Sequence, residues 1–278
     1  MTVKTLLSQF RLKSILHEDD KENENSTVKS FRNFFTEIAD LSLFTARFFK
    51  EVFGRPFELN ELLKQCYLIG YRSLPLVAIT GFIMGLVMTI QSRPTLAAFG
   101  AESWLPAMVA VSIIREIGPV ITALICAGKS GSGIGAELAS MKVTEQIDAM
   151  EVSGINPFKY IVVTRILAST LMVPVLVIFA DSLAIWGSYI AVNIGGDVSY
   201  RLFFSQVIGS LVFMDIIPAV IKTFLFGFAI GLIGCYKGYN SNSGTEGVGK
   251  AANSAVVLSS LLIFIIDMIA VQITSLLM

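Results

Sequence analysis

The sequence predicts an all-α integral membrane protein in which five helices cross the bilayer. Hydrophobic residues make up 54% of its 278 residues and charged residues only 15%, whereas about 25% of the residues of a soluble domain are charged. A soluble domain of this length needs more polar residues to cover its surface. The apolar residues are concentrated in five segments, each close to or above the roughly 20 residues that a helix needs to cross a bilayer.

The N-terminal part of the chain is predicted to stay outside the hydrocarbon. Residues 1–30 contain the charged run HEDDKENEN, so we expect a flexible cytoplasmic tail rather than a signal peptide. In residues 31–53, phenylalanines and other apolar side chains recur at helical spacing on one face, and charged side chains fill the other. This pattern predicts an amphipathic helix in the membrane interface, with packing on a soluble partner as the alternative. Gly54 and Pro56 end this helix.

The five predicted spans cover residues 73–92, 104–128, 160–194, 216–236 and 252–277. The third is longer than a perpendicular crossing requires, so we expect a tilted helix with Pro174 as a candidate kink. Residues 202–213 are apolar but too short to cross the bilayer. They are compatible with either an interfacial or a re-entrant segment.

Lysine and arginine are distributed unevenly between the segments that flank the spans. With a cytoplasmic N-terminus, the cytoplasmic segments carry 16 of these residues and the outer segments carry 2, Arg93 and Arg201. The bias remains, at 5 to 2, when the long N-terminal segment is left out. The positive-inside rule therefore predicts a cytoplasmic N-terminus and, because five is odd, a C-terminus on the outer side.

The sequence lacks the motifs of several functional classes. The single histidine, His17, and three scattered cysteines offer no metal site and imply no disulfide. No hydrolase or metalloprotease motif is present, so we expect no catalytic residue. The stretch AGKSGSGIGAE contains Gly128-Lys129-Ser130, which is similar to the end of a P-loop. A P-loop needs another glycine five residues before Gly128, where this chain has Ala123, and no strand precedes the stretch. We therefore expect no cofactor on this chain. The balanced net charge gives no indication of nucleic acid binding.

Four charged residues form the strongest signal inside the predicted spans: Arg115, Glu116, Lys222 and Asp267. At the centre of a transmembrane helix each costs about 2.5–3.5 kcal/mol unless it is paired or hydrated. They are therefore either a structural ion-pair network or the polar groups of a substrate cavity. We expect Arg115 to partner Glu116 and Lys222 to pair across helices. Asp215, two turns before Lys222, should stay near the outer interface.

A short amphipathic helix is predicted at residues 143–152, between the second and third spans. Its apolar side chains form one stripe, and Glu145, Asp148 and Glu151 face away from that stripe. Because this helix is joined directly to two spans, it is well placed to dock a soluble cytoplasmic partner and to act as a coupling helix.

Several short motifs occur together in residues 115–165: Arg115-Glu116-x-Gly118-Pro119, Ala127-Gly128, Ala136-Glu137, Met141-Lys142-x-Thr144-Glu145-Gln146 and Asn156-Pro157. This region resembles the signature region of MlaE-type permeases, the membrane subunits of ABC transporters associated with MCE proteins. The resemblance continues through Gln91, the turn at 101–103, Lys222 and the segment 237–239. It covers residues 31–278 as one permease domain.

The resemblance implies a homodimer in the bacterial inner membrane, with a periplasmic C-terminus. A cytoplasmic ABC ATPase would use the ATP, and its contact would involve Glu145, Gln146, Asp148 and Ala149. A periplasmic MCE-domain protein would bind on the outer side, in a system that serves the lipid asymmetry of the outer membrane. The cargo would be a phospholipid held in a cavity between the subunits, nearest to Leu96, Phe99, Arg115 and Glu116.

Two other classes of function stay open at this point. One is a non-transporting membrane scaffold, and the other is a proton-coupled secondary transporter with Glu116 or Asp267 as its proton site. The residues are also compatible with a phospholipid or a sterol-like cargo and with either direction of transport.

Overall fold

A computed structural model describes residues 26–54, 58–194, 196, 198–241 and 244–277. This part of the chain is helical and contains no strand, which confirms the predicted all-α fold. Most of the predicted flexible tail, residues 1–25, lies outside the described residues, as do residues 55–57 of the predicted helix end.

Within the described residues, eight helical elements follow one another, and five of them are long and apolar enough to cross a membrane, as predicted. The five spans are α2 (Leu59–Ala98), α3 (Glu102–Val143), α5 (Phe158–Ile194), α7 (Phe213–Tyr239) and α8 (Thr245–Leu277). The remaining elements are α1 (Ser26–Val52), α4 (Gln146–Val152) and α6 (Tyr200–Ser210). Three spans change pitch along their length, with a 3₁₀ turn in α2 at Tyr71–Ser73 and π-helical turns in α3 and α5 at Ile113–Ile117, Ala127–Gly131 and Phe158–Val163.

The described residues divide into two compact units, one formed by residues 26–49 and the other by the described residues from Lys50 onwards. Within the first unit, α1 exposes large apolar side chains, among them Phe35 and Leu43. It also exposes the charged Asp40 and Arg47. This composition agrees with the predicted amphipathic character, and its location in the membrane interface stays a prediction.

In the second unit, α2 and α5 pack closely through small residues. A Cβ atom on Gly81 would lie 2.7 Å from the Ala180 carbonyl oxygen, and one on Gly85 would overlap the Ala184 carbonyl. The two backbones can therefore touch only because these positions lack side chains, as is common for helices packed in membranes. Farther along this interface, the Thr89 hydroxyl donates to Ser188 Oγ at 2.7 Å.

The main apolar core draws side chains from all five spans. Its buried members include Val77 of α2, Cys126 of α3, Leu176 of α5, Phe226 of α7 and Ile263 of α8. Such a shared core fixes the spans as one bundle, because each helix buries part of its surface against several others.

A second apolar cluster lies where α3 begins and α5 ends, and it contains the short helix α6. Phe203 and Val207 of α6 are buried against residues such as Leu105 and Val109 of α3. Ser199 caps α6 by accepting the Leu202 amide at 3.3 Å, and extended backbone at Leu211 and Val212 separates α6 from α7. Residues 202–213 thus form a short helix packed against α3 and the chain turn that leads into α7.

The spans are longer than the apolar segments that predicted them. The first begins at Leu59 rather than 73, and the second continues to Val143 rather than ending at 128. Polar residues can occupy these extensions when they are satisfied locally, because the helix itself saturates the backbone. In α2, for instance, the buried Gln65 amide donates to Glu61 Oε1 at 2.8 Å.

The predicted coupling helix starts at Gln146 and not at 143, because the chain bends sharply at Glu145. Glu145 has φ of 57°, and among the described residues it is the one non-glycine residue with a positive φ. A left-handed residue cannot continue an α-helix, so Val143 belongs to α3. Ile147 anchors α4 with its side chain 1% exposed, and Lys142 Nζ lies 3.0 Å from Asp148 Oδ1 across the bend.

Candidate functional site

Three charged side chains from three different spans meet at Lys222. The Lys222 ammonium of α7 donates to Glu116 Oε2 of α3 at 2.7 Å and to Asp267 Oδ1 of α8 at 2.8 Å. The Lys222 side chain is only 4% exposed, whereas those of Glu116 and Asp267 are 37% and 19% exposed. One buried cation therefore holds two partly accessible carboxylates together, and we call these three residues the charge cluster.

A second ion pair continues the charge cluster. Arg115 Nη1 lies 3.5 Å from Asp215 Oδ1, which is at the start of α7. Sequence reasoning had given Arg115 as the partner of Glu116 and had left Asp215 at the outer interface. In the structure Glu116 has a partner on another span, and Asp215 is brought to Arg115. The sequence signal for Asp215 was its position two turns before Lys222, on the same face of α7.

The local structure of α3 explains how two adjacent residues reach this site. Arg115 and Glu116 lie in the π-helical turn Ile113–Ile117, and Gly118 and Pro119 follow it directly. Proline has no amide hydrogen to donate, so it loosens the preceding helical turn. A π-turn widens the helix by one residue and is frequent at functional sites. The Gly118-Pro119 pair thus favours the widened turn that presents Arg115 and Glu116.

An apolar groove runs beside the charge cluster between α7 and α8. Its volume is about 420 Å³, and it is lined by Pro218, Ile221, Lys222, Leu225, Ile266, Ile269, Ala270, Ile273 and Thr274. A smaller pocket next to it is lined by Arg115, Glu116 and Asp215, and shares Lys222 and three other residues with the groove. The groove therefore combines a long apolar surface with charged groups along one side.

The two outer-turn residues predicted to lie near the cargo are placed elsewhere. Leu96 packs against the second apolar cluster, together with residues such as Val109 and Phe203. Phe99 is 81% exposed in the turn between α2 and α3. Neither side chain is part of the groove lining.

On the opposite side of α7 is a separate cavity of about 180 Å³ that contains Asp181 of α5. Its lining is otherwise mostly apolar, with Ile114, Val177 and Val220 among its members. The Asp181 side chain lies against Gly118, and its Oδ1 has no hydrogen-bond partner within the described residues. Asp181 is a functional-site candidate that the sequence prediction missed, although it is a lone acid inside a predicted span just as Asp267 is.

The four residues predicted to contact an ATPase lie on one accessible surface. Glu145, Gln146, Asp148 and Ala149 are all exposed, whereas Ile147 between them is buried. The segment that follows α4 is held by residues near the end of α1, since Asn156 Nδ2 donates to Glu51 Oε2 at 3.1 Å and Lys159 Nζ donates to the Gly54 carbonyl. These bonds fix the segment between α4 and α5 to the chain at Glu51 and Gly54.

The glycine-rich stretch at 127–137 does not form a phosphate-binding loop. It is helical throughout, as the π-turn Ala127–Gly131 followed by the α-helix Ser132–Val143. Its small residues instead permit close helix contact: a Cβ on Gly135 would lie 3.2 Å from Ala255 Cβ of α8, and one on Gly238 of α7 would lie 2.7 Å from the Gly135 carbonyl oxygen. Within the described part of the chain, no three His, Cys, Asp or Glu residues are grouped to hold a metal.

Comparison with known proteins places this arrangement among transporter permeases. A family model described as Permease MlaE matches residues 62–273. A Rickettsia felis protein named probable ABC transporter permease protein is 37% identical over 241 residues, which cover 87% of this chain and 93% of that protein. The intermembrane phospholipid transport system permease protein MlaE of Haemophilus influenzae is 34% identical over 245 residues, covering 87% and 93%. A probable ABC transporter permease protein of Synechocystis is 32% identical over 249 residues, covering 87% and 92%.

Proposed function

The chain belongs to the MlaE permease family, and from that premise we propose that it moves phospholipid as the membrane-spanning subunit of an ABC transporter. It is a multi-pass membrane permease, with five spans that form one bundle. The phospholipid cargo is inferred from the Haemophilus influenzae relative, whose name specifies intermembrane phospholipid transport.

The observation that carries the proposal is a buried ammonium next to an apolar groove. A phospholipid has two apolar chains and a charged head group, so its site needs an apolar surface that ends at polar groups. Lys222 lines the groove while it is bound to Glu116 and Asp267, and the rest of the lining is mostly aliphatic. The groove can hold acyl chains, and the charge cluster can contact the phosphate and its substituent.

The partial exposure of Glu116 and of the neighbouring Arg115 supports a homodimer. Arg115 and Glu116 are 35% and 37% exposed in the single chain, and charges that face hydrocarbon are costly. A second copy placed over the groove would remove these charges from hydrocarbon and enclose the groove between two subunits. We therefore propose that the lipid cavity forms between two copies of this chain.

ATP hydrolysis is proposed to come from a separate cytoplasmic ABC ATPase. The exposed face of α4, formed by Glu145, Gln146, Asp148 and Ala149, is its proposed contact. α4 is short and is joined to α3 by the bend at Glu145, and its following segment is bonded to the chain near Gly54. Movement of α4 would thus be passed to the spans that carry Arg115, Glu116 and Asp181.

The membrane location and the outer partner complete the proposal. The excess of lysine and arginine supports a cytoplasmic N-terminus and α4, with the C-terminus on the outer side. We infer that the membrane is the inner membrane of a bacterium, so that the outer side is the periplasm. A periplasmic MCE-domain protein would then receive or deliver lipid at the ends of α2, α3 and α5. Apolar side chains such as Phe99 and Trp104 are exposed there, at 81% and 70%.

The experiment that tests this proposal fills the groove with a larger side chain and measures lipid transfer by the reconstituted transporter. Ile269 lines the groove and is 49% exposed, whereas Leu261 of the same helix is 53% exposed and lies outside the groove. Proteoliposomes with the ATPase and the MCE protein should transfer labelled phospholipid in an ATP-dependent manner. Ile269→Trp should abolish this transfer without loss of the bound ATPase, and Leu261→Trp should keep it. Equal transfer by both variants would show that lipid does not use the groove.

A further inference from the structure

A second polar cavity lies at the opposite ends of α7 and α8 from the charge cluster. It has a volume of about 150 Å³ and is lined by Lys237, Asn240, Ser241, Gly247, Lys250, Ala251 and Ser254. Lys237 lies in the last turn of α7, and Asn240 and Ser241 follow the end of that helix at Tyr239. Residues 247, 250, 251 and 254 follow helical spacing at the start of α8. The end of α7 and one face of α8 therefore form one cavity, and none of these residues lines the groove.

The composition of this cavity is suited to an anion. Both charged residues in the lining are lysines, and no carboxylate lines it. The hydroxyl of Ser254 and the side-chain amide of Asn240 add hydrogen-bond donors. Lys250 makes no ion pair with another residue of the described chain. The cavity is also next to the first turns of α8, a 33-residue helix that begins at Thr245, and the N-terminal end of a helix is the positive end of its dipole.

One polar atom in the lining is left without a bond. The Ser241 hydroxyl oxygen is buried and has no hydrogen-bond partner among the described residues. Leaving a buried hydroxyl unbonded costs free energy, so a ligand that accepts its hydrogen would be favoured. Two ammonium groups and a hydroxyl that lacks an acceptor together call for an oxyanion rather than for a neutral ligand.

We propose that this cavity binds the phosphate of an anionic lipid from the cytoplasmic leaflet. The inference rests on the proposed membrane orientation, which places residues 237–254 at the cytoplasmic surface, where anionic head groups attract basic residues. A lipid head group and free phosphate would both present phosphate oxygens to this cavity. Its location at the ends of two spans favours the lipid. This site is distinct from the transported lipid, which occupies the groove between Pro218 and Thr274 in the proposed function.

The experiment measures ligand-dependent stability of the purified full-length chain in detergent. Titration with dioleoyl-phosphatidylglycerol should raise the thermal midpoint in a saturable manner, because a ligand that binds only the folded state stabilises it. Dioleoyl-phosphatidylcholine and inorganic phosphate should not do so at the same concentrations. Lys237→Gln/Lys250→Gln should need about 30-fold more phosphatidylglycerol, since each basic residue near an anionic surface contributes roughly fivefold.

The matched control removes two other exposed lysines. Lys50→Gln/Lys64→Gln should keep the wild-type titration curve, although it loses the same net charge. An unchanged curve for Lys237→Gln/Lys250→Gln would overturn the site, and so would a response to phosphatidylcholine equal to that to phosphatidylglycerol. An equal response to inorganic phosphate would keep the phosphate site but overturn its lipid source. If the variant instead lost co-purifying ATPase with no lipid effect, the cavity would be a protein contact and the proposal would be wrong.

This assay needs no ATPase and no transfer, so its outcome is independent of the proposed function. A wild-type lipid response that persists in Ile269→Trp would show that the cavity and the groove are separate sites. Failure of lipid transfer in every preparation, with the titration intact, would overturn the transport proposal alone.

Discussion

Replacing Lys222 by methionine is the sharpest perturbation of the charge cluster. Methionine keeps most of the length and the apolar stem of lysine but removes the ammonium. Glu116 and Asp267 would then lose the donor that lies 2.7 Å and 2.8 Å from their oxygens. The change therefore isolates the charge of Lys222 from its packing.

The expected loss of stability can be bounded from the exposure of the partners. Removing one partner of a buried ion pair costs about 3–5 kcal/mol. Since Glu116 is 37% exposed and lines the smaller pocket, where water can reach it, we take the lower end, about 3 kcal/mol. At about 2–4 °C per kcal/mol for a unit of this size, the thermal midpoint should fall by roughly 6–12 °C.

Neutralising the carboxylates as well should reverse this loss. In Lys222→Met/Glu116→Gln/Asp267→Asn no charge is left unpaired, so the free energy of unfolding should return to within about 1 kcal/mol of the wild type. Lipid transfer should stay lost, because the charges that contact the head group are gone. Restored transfer in this triple variant would mean that the charge cluster is only structural.

Thermal unfolding in detergent and ATP-dependent lipid transfer are the two measurements. The matched control is Lys64→Met, because Lys64 is 67% exposed and lies 3.5 Å from its partner Glu61. Glu61 is only 10% exposed but keeps the hydrogen bond from Gln65, and the Lys64 ammonium lies in solvent. The pair should therefore be worth less than about 1 kcal/mol, and the thermal midpoint of Lys64→Met should hardly move. If Lys222→Met were as stable as Lys64→Met, the carboxylates would not depend on Lys222 and the reasoning would fail.

Three further predictions concern packing, coupling and topology. Gly85→Ala should lower the free energy of unfolding by about 1–3 kcal/mol, because its Cβ would overlap the Ala184 carbonyl. Gly128→Ala is the control: its Cβ meets nothing within 4 Å, so the free energy of unfolding should rise by about 0.5–1 kcal/mol. Thermal unfolding measures both changes. Glu145→Lys/Asp148→Lys should leave insertion unchanged but weaken ATPase co-purification by about 1–3 kcal/mol through like-charge contact, and full ATPase binding would remove α4 as the coupling element. A reporter that fluoresces only in the cytoplasm should stay dark when fused after residue 278, and a bright full-length fusion would contradict the odd number of spans.

The number and order of the spans could be predicted because the bilayer imposes a simple requirement on sequence. Any helix that crosses must present about 20 consecutive apolar residues, and five such segments occur in the chain. The ends of the helices could not be predicted in the same way. Outside the hydrocarbon, a polar stretch such as 59–72 or 129–143 can be helical or irregular at similar cost, so hydropathy does not locate the last turn.

The charged residues of the site could also largely be predicted from the sequence. Arg115, Glu116, Lys222 and Asp267 were selected because a charge inside a span is costly and therefore needs a partner. Asp181 meets the same criterion, so the prediction should have included it; its location in a cavity beside Gly118 is known only from the structure. The free-energy cost of a charge inside a span indicates which residues need partners, but it does not indicate which residues those partners are.

The pairing itself depends on helix rotation, which local spacing does not determine here. Glu116 and Lys222 are 106 residues apart, and Lys222 and Asp267 are 45 apart. Each π-turn adds one residue to its helix and so rotates everything beyond it by about 100° relative to a regular α-helix. Because α3 contains two such turns, at 113–117 and 127–131, the face that Arg115 and Glu116 present cannot be extrapolated from the apolar period on either side. The sequence feature that indicates the first of these turns is Gly118-Pro119, which follows the π-turn directly and sets the rotation at which Arg115 and Glu116 reach their partners.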